Sequence, residues 1–137
     1  MPLPDRVVLD RSALYPILIA SDVNHYSAKR IYERLIDREQ ELWITSCVLI
    51  EILSHLQDHG GLELMSTFFE STQKLMHTFW LNQNTYLQAW RQMLNSNHID
   101  FDFIDWTTAV VAKNLGAHLL TFNKGFAQLG IAVLPRA

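Results

Sequence analysis

Short apolar segments alternate along the chain with longer segments of helical periodicity, and this alternation constrains the fold more than any other feature. The apolar segments, typical of buried strands, lie at about residues 6–9, 42–45, 77–81, 118–122 and 131–134. Helical patterns lie between them, at about residues 12–19, 23–40, 46–56, 62–76, 86–93 and 104–115. We expect Ser46 to be the N-cap of the third pattern, Gly60-Gly61 to end it, and Gly116 to cap the C-terminus of the last. Strands that alternate with helices predict a mainly parallel sheet covered on both faces. We therefore expect an α/β fold, a three-layer α/β/α sandwich with about five strands.

The composition is that of a folded protein with a sizeable core. The chain has 137 residues, of which 49% are hydrophobic and 18% are charged, so we expect a single domain over residues 1–137. The formal net charge is −3, and strong non-specific attraction of nucleic acid to the whole molecule is not expected. A local basic rim around an acidic, cation-binding pocket would still permit a nuclease.

The sequence predicts a cytoplasmic location. Cys47 is the single cysteine, so no internal disulfide can form, and its apolar surroundings indicate a buried thiol in a reducing compartment. No segment approaches the roughly 18 apolar residues of a membrane span. The first five residues lack the basic start and apolar run of a secretory signal.

Three acids and one amide occupy similar settings in the predicted fold. Asp10 ends the apolar run of residues 6–9, and Asn123 follows the strand predicted at 118–122. Glu51 and Asp105 fall in or near the first turns of two predicted helices. Parallel strands joined by crossovers place their carboxyl ends on one edge, where sites are built, so the chain order permits all four to meet. Carboxylates that converge at such an edge favour a hard-cation site.

Each acid also has a simpler interpretation when it is taken alone. Asp10 could be the N-cap of the helix at 12–19. Glu51 borders an apolar helix face, where a salt bridge to an arginine would offset its burial. Asp105 could be a helix-start acid favoured by the macrodipole. Asp100 and Asp102 stand just upstream; Asp100 is best explained as a solvated loop acid, whereas Asp102 lies one turn before Asp105 and could reach the same pocket.

Several sequence motifs are similar to those of one known family. They are Val7-Val8-Leu9-Asp10-Arg11-Ser12, the segment from Ile44 to Leu53 around Glu51, Phe103-Ile104-Asp105, the segment from Ala112 to Phe126, and Leu129-Gly130-Ile131-Ala132-Val133-Leu134-Pro135. Over nearly its whole length the chain resembles the PIN domain, and most closely the VapC-like toxin ribonucleases of bacterial toxin–antitoxin pairs. The resemblance implies a Mg²⁺- or Mn²⁺-dependent endoribonuclease that cleaves single-stranded or structured RNA.

The resemblance also assigns roles to individual residues. Asp10, Glu51 and Asp105 match the family's three acids, which act in catalysis and hold the metal. Asn123 matches the position of a fourth, catalytic acid. Ser12 and Thr121 match its supporting hydroxyls, which orient carboxylates and metal-bound water.

The chain departs from the family pattern at three positions. Asn123 supplies an amide oxygen, which can still bind Mg²⁺ but carries no charge. Gly125 replaces a residue that is often acidic. Asp102 stands where the family commonly has a small hydroxyl residue, and it could restore the missing charge as a further metal ligand.

A nuclease of this kind needs contacts with RNA around the pocket. Arg11 and Lys124 are adjacent to two of the site residues, and Lys113 is on a nearby helix; each could contact phosphate or be a solvated surface charge. Trp106 could stack on a base, although a core position is the simpler expectation. We interpret Trp43, Trp80 and Trp90 as core or interface residues. His55 follows Glu51 by one turn and could approach the site, but a packed histidine is more usual.

The resemblance implies two protein partners besides the RNA substrate, an antitoxin and a second copy of the chain. The principal alternative is a PIN-fold module that binds RNA or protein without cleaving it, because the fourth acid is replaced. A nucleotide-binding α/β domain is disfavoured because neither Gly-x-Gly-x-x-Gly nor Gly-x-x-x-x-Gly-Lys-Ser/Thr occurs.

Overall fold

The computed structural model describes residues 4–96 and 99–135, so the first three residues of the N-terminal segment considered above lie outside it. The strands of this part are β1 (Arg6–Leu9), β2 (Glu41–Thr45), β3 (Met76–Phe79), β4 (His118–Leu120) and β5 (Val133–Leu134). The helices are α1 (Arg11–Leu18), α2 (His25–Asp37), α3 (Ser46–His55), α4 (Gly61–Leu75), α5 (Gln83–Leu94), α6 (Phe103–Leu115) and α7 (Gly125–Gln128), with a π-helical turn at Leu56–Gly60.

The strands form one parallel sheet in the order β3-β2-β1-β4-β5. Strand β1 is central and pairs with β2 on one side, where Val8 aligns with Trp43, and with β4 on the other, where Val8 aligns with Leu119. The strand order therefore changes direction between β1 and β4. Sites in open parallel sheets form beyond the carboxyl ends of the strands at this point, and Asp10 and Thr121 are the residues that follow β1 and β4.

Helices pack on both faces of the sheet, which confirms the predicted α/β architecture. Alternate residues of β1 face opposite sides: Val7 and Leu9 belong to a core that includes Leu35 of α2, whereas Val8 belongs to a core that includes Val111 of α6. Helices α1, α3 and α4 also pack on the first side, and α7 packs on the second. Three of the four residues of β1, Val7, Val8 and Leu9, are fully buried, so this strand is fixed in place and holds Asp10 in a defined position.

The start of α3 differs from the sequence expectation. Thr45, not Ser46, is the N-cap, and its side chain accepts a hydrogen bond from the backbone N–H of Val48. Ser46 Oγ instead accepts from the backbone N–H of Leu81, at 2.9 Å. The adjacent hydroxyl residues make either cap plausible from sequence, and packing against the segment after β3 decides between them. Gly116 caps α6 as predicted, with a left-handed φ of 60°.

Exposure separates the tryptophans into two groups. Trp106 is only 3% exposed and belongs to the core, so base stacking is not open to it in this conformation. Trp43 packs partly buried against the core beneath α6. Trp80 and Trp90 are 65% and 48% exposed, so neither is a core residue, and the interface interpretation stays a prediction. Cys47 is half-buried rather than fully buried. Within residues 4–96 and 99–135, no helix combines the length and apolar character needed to cross a membrane.

Candidate active site

Asp10 is held in one orientation by two hydroxyl groups. It is 1% exposed and is the N-cap of α1, where its Oδ2 atom accepts from the backbone N–H of Ser12. The same oxygen lies 2.6 Å from Ser12 Oγ and 2.8 Å from Thr121 Oγ1. The expected N-cap role and the expected supporting hydroxyls are therefore both present, at one carboxylate oxygen.

The two hydroxyls also connect Asp10 to the segment that follows β4. Ser12 Oγ accepts from the backbone N–H of Phe122 at 2.9 Å, and Thr121 Oγ1 accepts from that of Asn123 at 3.0 Å. Each hydroxyl thus donates to the carboxylate and accepts from the backbone. This arrangement fixes the ends of β1 and β4 relative to each other.

Asp102 and Asp105 form a reciprocal capping box at the start of α6. Asp102 Oδ1 accepts from the backbone N–H of Asp105 at 3.0 Å, and Asp105 Oδ2 accepts from that of Asp102 at 3.1 Å. Such a box satisfies two donors that the helix itself leaves free. One oxygen of each acid is thereby used by the backbone, and the second oxygen of each is left for the pocket.

Arg11 joins the remaining acids. Its Nη1 atom lies 2.6 Å from Glu51 Oε1, and its Nη2 atom lies 2.5 Å from Asp102 Oδ2 and 3.2 Å from Asp105 Oδ1. The side chain is 18% exposed, so the guanidinium is mostly withdrawn from solvent. The alternative interpretation of Glu51, a salt bridge to an arginine, is therefore observed, and the arginine is the residue that follows Asp10.

Burial and charge shift the pKa values of these groups in different directions. Burial raises the pKa of Asp105 to about 6, although the backbone hydrogen bond from Asp102 and the charge of Arg11 act against the rise, and the charges of Asp102 and Asp10 add to it. Burial would also raise the pKa of Asp102, but the hydrogen bonds from Arg11 and the Asp105 backbone, with the charge of Arg11, outweigh it and lower that pKa. Burial opposes the charge on Arg11, yet the hydrogen bond to Asp102 and the nearby acids raise its pKa.

The acids fit a divalent cation in their chemistry. Asp10 Oδ1 and Glu51 Oε2 are buried and accept no hydrogen bond, and a carboxylate oxygen in that state needs a positive partner. Oxygen ligands of this kind suit Mg²⁺ and Mn²⁺. No three His, Cys, Asp or Glu side chains of residues 4–96 and 99–135 are arranged to hold a metal ion together, however. The guanidinium of Arg11 lies between Glu51, which contacts Nη1, and Asp102 and Asp105, which contact Nη2.

Asn123 and Gly125 share a tight turn after β4. Asn123 Oδ1 accepts from the backbone N–H of Gly125 at 2.9 Å. A Cβ atom at position 125 would lie 2.6 Å from Phe101 Cε1 and 3.1 Å from Ile99 Cγ2, so no side chain fits there without displacing an aromatic ring. The absence of an acid at position 125 is therefore a requirement of packing in this chain.

The three basic residues that were expected to contact RNA differ in their positions relative to the pocket. Lys124 is exposed and lines a cavity of about 490 Å³ with Asn123, Val133 and Pro135, beside the carboxyl end of β4. Lys113 is exposed near the far end of α6. Arg11 contacts the acids, so its predicted contact with RNA phosphate would require the side chain to leave them.

Two further side chains, Tyr15 and His55, lie near Glu51. Tyr15, one turn after Arg11 on α1, is close enough to Glu51 that burial and the charge of Glu51 together raise its pKa. His55 packs against the Tyr15 ring at a centroid distance of 5.0 Å and stacks on His59 at 4.6 Å. His55 is thus a packed histidine, which was the simpler of the two interpretations of this residue. Tyr15 was not predicted, and its spacing of one helical turn from Arg11 is the only sequence signal for it.

The chain is similar in fold to solved toxin structures. VapC20 of Mycobacterium tuberculosis, described as a sarcin–ricin loop cleaving toxin, matches with a TM-score of 0.78 and 19% identity over 92% of this chain and 96% of that one. A DNA-bound VapBC of Salmonella typhimurium matches with a TM-score of 0.72 and 17% identity over 93% and 96%. A toxin–antitoxin complex of Klebsiella pneumoniae gives 0.66 and 13% over 95% and 98%. No curated protein matches the sequence.

A family model identifies the chain more directly than these distant structural relatives do. The PIN domain model matches residues 7–132, which include Asp10, Glu51, Asp105 and Asn123. The parallel sheet, the strand order and the acids at its carboxyl edge agree with that match. The chain therefore belongs to the PIN domain family.

Proposed function

We propose that this PIN-domain chain is a metal-dependent endoribonuclease, active on single-stranded or structured RNA, and the toxin of a toxin–antitoxin pair. The observation that carries the proposal is the convergence of acids beyond β1 and β4, with buried oxygens of Asp10 and Glu51 that accept no hydrogen bond. RNA is favoured as the substrate because the structural relative from Mycobacterium tuberculosis is a toxin that cleaves the sarcin–ricin loop.

The proposed roles follow from how each acid is held. Asp10, fixed by Ser12 and Thr121, would bind Mg²⁺ or Mn²⁺ through Oδ1. Glu51 would bind it through Oε2, which accepts no hydrogen bond, and Asp105 through Oδ1, the oxygen that now contacts Arg11. The chemistry that such an ion supplies is polarisation of the scissile phosphate and activation of water. Asp105, with its pKa near 6, is mostly ionised at pH 7 and above, so the pocket carries the negative charge that a cation needs.

Cleavage of an RNA panel tests the proposal. Ribosomal, transfer and messenger RNA would be incubated with the protein in Mn²⁺, in Mg²⁺ and in EDTA, beside Asp10→Asn and the control Asp100→Asn. Asp100 is exposed and adjacent to the site in sequence, so its variant removes an acid without touching the pocket. We expect metal-dependent cutting by wild type and Asp100→Asn and none by Asp10→Asn. Equal cutting by all three proteins would point to a contaminating nuclease and refute the proposal.

A second candidate function is a PIN module that binds RNA or protein without hydrolysis. It is favoured by Asn123 at the fourth position and by Arg11 within the pocket. In that case the wild-type protein, with a normal melting curve, would bind RNA in a filter assay and leave it intact in every metal. Asp10→Asn would then bind as well as wild type.

We also propose an antitoxin partner and a homodimer, acting in the cytoplasm. Related folds have been solved as toxin–antitoxin complexes. This chain exposes apolar side chains that a protein partner would cover, and on α5 three of them, Tyr86, Trp90 and Leu94, follow one another at intervals of four residues on one helix face. Light scattering of wild type and Trp90→Glu would test the dimer: we expect a dimeric mass that decreases in the variant, and a monomeric wild type would exclude it.

A further inference from the structure

We propose that Arg11 is an internal competitor for the divalent cation. Its guanidinium takes the position of positive charge between Glu51, Asp102 and Asp105, and a metal ion must displace it to bind the three oxygens that it contacts, Glu51 Oε1, Asp102 Oδ2 and Asp105 Oδ1. The inference rests on the metal-dependent function proposed above and adds to it a regulatory contact made by the chain itself.

The first step concerns which oxygens are free. Asp102 Oδ1 and Asp105 Oδ2 are committed to the capping box. The other oxygen of each acid, together with Glu51 Oε1, is bound to Arg11. An ion could therefore gain these three oxygens only by replacing hydrogen bonds from Arg11.

The second step concerns charge. Three carboxylates meet at one guanidinium and would repel one another if Arg11 were absent, most strongly at Asp105, whose side chain is only 8% exposed. Arg11 supplies the compensating charge that an ion would otherwise supply. It therefore stabilises the metal-free protein and, by the same contacts, weakens metal binding.

The third step concerns geometry. A guanidinium is planar and donates along fixed directions, whereas Mg²⁺ requires six oxygen ligands in a near-octahedral arrangement. The two cations also repel each other, so binding of both to the same carboxylate oxygens is unfavourable. An arginine also keeps its charge at any accessible pH, so the competition depends on the position of the side chain and not on its protonation.

Metal affinity in solution gives the direct test. Mn²⁺ binding would be measured by calorimetry and by electron paramagnetic resonance for wild type, Arg11→Gln and the control Arg6→Gln. Arg6 is also ion-paired, with Glu41 at 2.9 Å, but it lies at the amino end of β1, away from the pocket. We expect Arg11→Gln to bind Mn²⁺ at least about tenfold more tightly than wild type, and Arg6→Gln to bind like wild type.

The possible failures separate the two proposals. Equal or weaker Mn²⁺ binding by Arg11→Gln, with clear binding by wild type, overturns the competition and leaves the metal-dependent function standing. No Mn²⁺ binding by any of the proteins at millimolar concentration overturns both.

Two further measurements test the competition even if Arg11→Gln folds poorly. In EDTA, Arg11→Gln should melt below wild type, and saturating Mn²⁺ should raise its melting temperature by more than it raises that of wild type. In wild type labelled with ¹⁵N, Mg²⁺ should shift or broaden the guanidinium signals of Arg11 and leave those of Arg6 unchanged. Arg11 signals that stay constant while calorimetry records Mg²⁺ binding would refute the competition without any variant.

Discussion

Thr121 Oγ1 lies 2.8 Å from Asp10 Oδ2, and it accepts a hydrogen bond from the backbone N–H of Asn123 in the same position. One hydroxyl group thus orients the buried acid of β1 and fixes the turn after β4. Its loss would leave a buried carboxylate oxygen and a backbone donor each short of a partner.

Thr121→Val preserves the shape of the side chain and removes the hydroxyl, so it isolates that contribution. We expect the free energy of unfolding, measured in urea, to fall by about 1–3 kcal/mol, because buried polar groups lose their hydrogen bonds. Thr67→Val is the matched control, since Thr67 is exposed on α4, and its effect should stay within about 0.5 kcal/mol. Equal stability of the two variants would show that Asp10 does not depend on this hydroxyl.

The raised pKa of Asp105 predicts a pH dependence of stability. Between its ordinary value of 3.8 and about 6, the folded protein keeps a proton on Asp105 that the unfolded chain has released. The stabilisation is therefore complete below pH 4 and is lost as the pH rises through 6. Asp105→Asn cannot titrate, so its stability relative to wild type should increase between pH 4 and pH 7, by on the order of 2 kcal/mol.

Urea unfolding in EDTA at pH 4, 5, 6 and 7 measures this difference. The pKa of Asp102 is lowered, so this residue affects the pH dependence in the opposite sense. Its contribution is weakened because its side chain is half exposed, and it is present in both proteins. The asparagine retains an oxygen that can accept from the Asp102 backbone, so the capping box is kept. Stability curves that run parallel over the whole range would contradict the raised pKa.

Asp102 is predicted to supply part of the charge that Asn123 lacks. Removing it from the wild-type protein would also release Arg11, so the test belongs in the Arg11→Gln background. There Asp102→Asn should keep the cap on α6 and bind Mn²⁺ several-fold more weakly, whereas Asp102→Ala should also lose about 1 kcal/mol of stability. Unchanged Mn²⁺ affinity in the Asp102→Asn variant would rule out compensation.

Asn123→Asp restores the fourth acid without disturbing the turn, because an aspartate oxygen can accept from Gly125 as the amide does. We expect tighter Mn²⁺ binding, since each added carboxylate increases the charge of the site. Asn82→Asp is a matched control: Asn82 Oδ1 also accepts a backbone N–H, from Thr85, at the start of α5. If both variants bind Mn²⁺ like wild type, position 123 does not contribute to the cation site.

The fold was predictable from sequence because the buried strands and amphipathic helices have distinct periods. Strand β1 matches its predicted range, and β4 begins where it was predicted. The ends of elements were less predictable: β5 is restricted to Val133–Leu134. A π-helical turn at Leu56–Gly60 follows α3, and Gly61 begins α4, so Gly60-Gly61 does not separate the two helices by a loop. Strand pairing and packing determine where each element ends, and these contacts cannot be read from a local sequence pattern.

The candidate site was also predictable from sequence only in part. The sequence places Asp10, Ser12 and Thr121 correctly because all three are fixed by the ends of neighbouring strands. The position of Arg11 could not be derived in this way. Its side chain has several rotatable bonds, and its partner Glu51 comes from a helix 40 residues later, so only the packed structure brings them together. The sequence offered helix caps and a salt bridge as alternatives to a metal site. The structure shows the cap contacts of Asp10 and the salt bridge of Glu51, and the metal site stays a prediction.

The central position of β1 has a consequence for synthesis on the ribosome. Of its two neighbours, β2 follows it closely in the sequence, whereas β4 is added only after β3 and two further helices, α5 and α6. Until β4 is made, the growing polypeptide lacks one of the two strands that pair with β1 and the hydroxyl that holds Asp10. Contacts between such distant segments form late in folding. We therefore expect a polypeptide that stops before β4 to lack a positioned Asp10 and, with it, the nuclease activity proposed above.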